Sequence, residues 1–94
     1  MTEADKSQQV LQLHNQMFLS PQEFAYHWGV GALELAQICC VSQSTTNHWL
    51  GGQSSRRQAG QPYQRILAVA DFLLENAAQV QPLLEQWYRS QPRG

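Results

Sequence analysis

The stretch LELAQICCVSQSTTNHW, from Leu33 to Trp49, reads as two short helices joined by a tight turn. Leu35, Ala36 and Ile38 fall on one face of the first helix. Ser42 opens the second, because its hydroxyl can accept from the free amides of the next turn. The turn therefore falls between about Cys39 and Ser42. In a helix-turn-helix the second helix enters the major groove of DNA and sets its N-terminal residues against the base edges. That geometry singles out Gln43, Ser44, Asn47 and His48.

Upstream, Ser20-Pro21-Gln22-Glu23 has the form of a capping box with proline in the first helical turn. It predicts a helix from about Pro21 to Trp28, with Phe24, Ala25 and Trp28 facing inward and Gly29 and Gly31 ending it. Downstream, Gly51-Gly52 stops the second helix of the unit, and a polar loop from Gln53 to Gln61 carries Arg56 and Arg57. From Pro62, the residues Ile66, Leu67, Val69, Ala70, Phe72, Leu73 and Leu74 predict a strongly apolar helix to about Asn76, expected to be the centre of the core. A last helix is predicted from near Pro82, with Leu83, Leu84, Trp87 and Tyr88 at spacings of three and four and a frayed end from Ser90. Val10, Leu11, Leu13, Met17 and Phe18 stand among glutamines between Ala4 and Phe18, which fits a short amphipathic helix or a partly ordered arm. No strand pattern appears. The expectation is an all-α bundle of about five helices: an arm or short helix over 1–19, a helix-turn-helix domain over 20–78, and a C-terminal helix and tail over 79–94.

A chain of 94 residues suits one domain, with little room for a buried active site. Its hydrophobic content of 43% is ordinary, and no apolar run approaches the roughly 18 to 20 residues of a membrane span. The polar start from Met1 to Gln9 does not read as a secretory signal, so a cytoplasmic location is expected. The only cysteines are the neighbours Cys39 and Cys40, which fit a reducing compartment and offer neither a disulfide framework nor a spaced metal-ligand pattern. The net charge of -1 is less basic than is usual for a DNA-binding domain. Its distribution is uneven: no acidic residue occurs between Leu35 and Ala70, an interval that holds His48, Arg56, Arg57 and Arg65. A cationic patch is thus expected around the second helix of the unit, with acids elsewhere moderating non-specific affinity.

These residues resemble the helix-turn-helix of the lambda-repressor-like, or Xre-type, DNA-binding domains. The family pattern is Leu-Ala, three residues, Gly-Val-Ser, two residues, Thr-Val, two residues, Trp and a nearby Gly. Here the matching residues are Leu35-Ala36, Cys40-Val41-Ser42, Thr45-Thr46, Trp49 and Gly51. The chain is also similar to a group of small cyanobacterial proteins of this type, through Trp28-Gly29-Val30, Ser54-Ser55-Arg56-Arg57 and Asp71-Phe72-Leu73-Leu74-Glu75. The resemblance covers roughly Ser20 to Glu75. It implies a lambda-repressor-like fold, a transcription-regulating role, and core positions for Val41 and Trp49. Cys40 stands where the family has its turn glycine, and Thr46 where it has a buried Val or Ile. A non-glycine residue in the left-handed region costs on the order of 1 kcal/mol. A buried threonine can bond a carbonyl one turn back in its own helix.

Base readout is expected from Gln43, Ser44 and Asn47, since Gln and Asn amides pair bidentately with adenine and serine both donates and accepts; His48 serves bases or phosphate. Thr45, Arg56, Arg57 and Arg65 are the candidate phosphate contacts. The competing reading is a merely solvated helix face and ordinary surface arginines. His14, His27 and His48 have no Cys, Asp or Glu at ligand spacing, so no metal is expected, and no cofactor or catalytic motif appears. The chain reads as a non-enzyme. Two function classes remain: a sequence-specific regulator of double-stranded DNA, dimeric through the Leu83, Leu84, Trp87, Tyr88 face unless that face packs on its own core, and a protein-interaction module that docks on another regulator or on the transcription machinery.

Overall fold

Two serines start helices as their positions predict. In the computed structural model, which describes residues 3–51 and 59–92, Ser20 Oγ accepts from the Glu23 N–H at 3.1 Å and Ser42 Oγ accepts from the Thr45 N–H at 3.2 Å. The helices that follow are α2 (Pro21–Trp28) and α4 (Gln43–Leu50); between them lies α3 (Ala32–Cys39). An N-terminal α1 (Glu3–His14), a long α5 (Gln61–Glu75) and a C-terminal α6 (Ala77–Ser90) complete an all-helical chain, with no strand among the described residues. No helix there is long and apolar enough to cross a membrane.

Each boundary in the α2–α4 region has a local cause. Gly29 ends α2 at φ 64°, a left-handed conformation that glycine adopts without a Cβ penalty. The Glu34 carboxylate accepts from the Gly31 N–H at 3.0 Å and so satisfies a free donor at the start of α3. Phe24, Leu35, Cys39, Trp49, Ala59 and Leu67 form the buried centre, with Leu19, Trp28, Val30, Ile38, Val41, Leu50 and Tyr63 packed around it. Trp49 meets Tyr63 with ring centroids 5.3 Å apart, which joins α4 to the first turn of α5. The Leu19 N–H donates to Gln64 O at 3.1 Å and fixes the segment between α1 and α2 along α5.

The ends of the chain depart from the sequence expectations. The first segment is a helix, yet its described side chains from Lys6 to His14 are all exposed. In α5 only Leu67 and Ala68 are buried, while Phe72 is 53% exposed and Leu73 and Leu74 also face outward, so its first half alone serves as the central core helix. The last helix begins at Ala77 rather than near Pro82, which lies inside it. Asn76 accepts from the Gln79 and Val80 N–H groups, and nucleation there extends the helix through a proline that costs it one ladder bond. No residue of α6 is buried, which removes packing on the domain's own core as the use of its apolar face.

The extended ends make the molecule 50 × 28 × 26 Å, with a radius of gyration of 15.8 Å. A compact domain of this length has a radius of about 12 Å. The accessible surface is 7230 Å², against about 5500 Å² for a compact monomer of this mass.

Candidate nucleic-acid interface

The orientation of α4 is set by the face it buries. Thr46 and Trp49 point inward, at 0% and 3% exposure. At about 100° per residue, Gln43, Asn47, Ser44 and His48 fall within an arc of about 140° on the opposite side. All four side chains are exposed. The structure thus gathers the candidate base-reading residues onto a single open face.

Three contacts aim that face. Thr46 Oγ1 lies 2.7 Å from Ala32 O and 3.0 Å from Gln43 O, so its one hydroxyl proton is shared between the start of α3 and the preceding turn of α4. The shorter distance shows the principal bond to be the link between the two helices. The Gln22 side-chain amide donates to Trp49 O, holding the C-terminal turn of α4 from α2. Cys40 ends α3 at φ 57° and ψ 47°, and its N–H donates to Ala36 O. The turn therefore takes the left-handed form without relaxing, despite the missing glycine.

The electrostatics at this end of α4 favour an anion. Its first turn holds no acidic residue, and the first amides of a helix carry partial positive charge with no intrahelical acceptor. Ser42 and Thr45 are partly committed to each other, their hydroxyl oxygens lying 3.0 Å apart. Among the candidate phosphate contacts, Thr45 is half-buried at this N-terminus. Arg56 and Arg57 lie outside the described residues. Arg65 is engaged elsewhere: its guanidinium carbon sits 5.2 Å from the Phe18 ring centroid, and Nη2 donates to Asn15 O at 3.5 Å. These contacts tie α5 to the segment after α1. Burial pushes the Cys39 thiol above its ordinary value, with the neighbouring Cys40 acting in the same direction, whereas Cys40 itself is exposed.

Beyond this face, the fold unites groups that local spacing kept apart. Trp28 Nε1 donates to Asp71 Oδ1 at 2.9 Å, while His27 lies between Asp71 and Glu75. Their separation by more than 40 residues is why ligand spacing along the sequence missed them. Family models, curated proteins and solved structures were all compared with the chain. None matches it. The functional reading therefore rests on the residues and their geometry.

Proposed function

We propose that the chain is a sequence-specific double-stranded DNA-binding transcriptional regulator of the lambda-repressor-like, helix-turn-helix kind, with α4 in the major groove. The observation that carries this reading is the division of α4 between a buried Thr46–Trp49 side and an open side of Gln43, Ser44, Asn47 and His48. Those are the side-chain types that read base edges. Arg56 and Arg57 neutralise phosphates, Thr45 and the first amides of α4 bind a backbone oxygen, and Arg65 supports the platform. On this reading the chain is not an enzyme and works in the cytoplasm.

The regulator acts as a homodimer through α6. One recognition helix reads few base pairs, and two half-sites multiply specificity. The surface in excess of a compact monomer is about 1700 Å², more than the roughly 800 Å² that each partner contributes to a standard interface. Leu83 and Trp87, 63% and 53% exposed, contribute apolar area to that surface. The same apolar excess supports the second reading, a module that docks on another regulator or on the transcription machinery.

Salt separates the two. Fluorescence anisotropy on pooled genomic fragments, repeated over a range of salt, is expected to give a log-log slope of about -3 per protomer, reduced by about 2 in Arg56→Ala/Arg57→Ala. Absence of binding even at low salt removes the DNA reading and leaves the docking module.

A further inference from the structure

The C-terminal turns of α2 and α5 meet at His27, Asp71 and Glu75. His27 Nδ1 is 2.9 Å from Asp71 Oδ1, and Nε2 is 3.1 Å from Glu75 Oε1. One ligand atom from each of the three residues lies within 4.8 Å of the others. Two carboxylates at this position oppose the dipole of α5, whose C-terminal end already carries about half a negative charge. The last turn of α5 holds no basic residue, and α2 also ends here, at Trp28. Among the described residues no lysine or arginine pairs with either carboxylate. One imidazole is left to balance the site. In its neutral form it has a single N–H, so it satisfies one carboxylate and turns a lone pair toward the other.

We propose that this cluster binds a divalent first-row transition ion of the Zn²⁺ type, through one imidazole nitrogen and one oxygen from each carboxylate, with water completing the shell. The donor set decides the class: an imidazole beside carboxylates suits such ions, whereas Ca²⁺ and Mg²⁺ take oxygen ligands. Bonds of about 2.0–2.2 Å in a tetrahedral shell set ligand atoms roughly 3.3 Å apart. Trp28 supplies the outer support, since its N–H on Asp71 orients the carboxylate. His27 and Glu75 are each about half exposed, which leaves an entry path. The ion takes the lone pair of the neutral imidazole, while the other ring nitrogen keeps its N–H. It fastens α2 to α5, and α2 in turn holds α4 through Gln22.

The test is a Zn²⁺ titration of the full chain, followed by amide NMR shifts and reversed with EDTA. Shifts are expected to concentrate at His27, Trp28, Asp71 and Glu75 and to saturate at one equivalent with micromolar affinity. Both Glu75→Gln and His27→Gln are expected to weaken binding by about tenfold or more and leave distant shifts in place. Saturation centred on Cys39, Cys40 or His48, equal affinity in the Glu75→Gln chain, or no saturation by millimolar Zn²⁺ would overturn the proposal. In the last case the cluster is a set of contacts between side chains, without an ion.

Discussion

Cys40 holds a left-handed conformation, at φ 57°, that costs a β-carbon-bearing residue about 1–2 kcal/mol. Glycine removes that strain but loses about 0.5–1 kcal/mol of conformational entropy on folding. At the midpoints of these ranges strain exceeds entropy by about 0.75 kcal/mol, so Cys40→Gly is expected to raise stability by about that amount in urea unfolding, and a loss would show that the turn is unstrained. The adjacent thiols should also separate chemically. Cys40 is exposed, whereas Cys39 is buried with its thiol held in the protonated form by that burial. A maleimide is expected to label Cys40 in the folded chain and Cys39 only on unfolding. At Thr46 the hydroxyl spans α3 and α4, so Thr46→Val keeps the shape, removes the bond to Ala32 O, and should cost about 1 kcal/mol. A stability gain in thermal melts would show that the bond contributes nothing.

Among the elements, those with two independent local signals were legible in the sequence. Ser20 with Pro21, and Ser42 after the Leu35-Ala36 face, located α2, the turn and α4, because caps and periodicity act over a few residues. The start of α6 was not legible. Pro82 is a common start signal, but here Asn76 begins the helix and the run from Ala77 to Gln81 carries it past the proline. The burial of α5 was legible in full for Leu67 and in part for Val69 and Ala70, since periodicity marks an apolar face without saying how much of it neighbours cover. At the candidate interface, spacing found the open face of α4, but the support from Gln22 on Trp49 O comes from 27 residues away and leaves no local trace. The contrast between α5 and α6 can be measured. Leu67→Ala opens a hole in a fully buried site and should cost about 2–5 kcal/mol in denaturant unfolding, whereas Leu83→Ala in the monomer should stay within about 0.5 kcal/mol. Equal losses would mean that α6 is packed within its own chain.

At the scale of the whole molecule, α2 to α5 surround a small core while α1 and α6 extend beyond it. An isolated helix of 14 residues is marginal in water, so in the proposed dimer α6 gains stability from the surface that covers it. Its helicity is therefore expected to rise with protein concentration, together with the mass from light scattering, and Trp87→Ala should suppress both. A monomeric mass at every concentration, free and on DNA, would exclude the dimer and direct the search to a different partner for that surface. The junction at Asn76 adds a mechanical property. Both the backbone N–H and the side-chain amide of Asn76 donate to Phe72 O, at 3.1 and 2.9 Å, and α6 begins at the next residue. Any change in the backbone torsion of that one residue is levered along an arm about 21 Å long. A turn of about 20° in its backbone sweeps the far end of α6 through roughly 7 Å, about the width of two base-pair steps along DNA at 3.4 Å each. In the proposed dimer, the torsion of one asparagine would thereby set the span between the two reading helices.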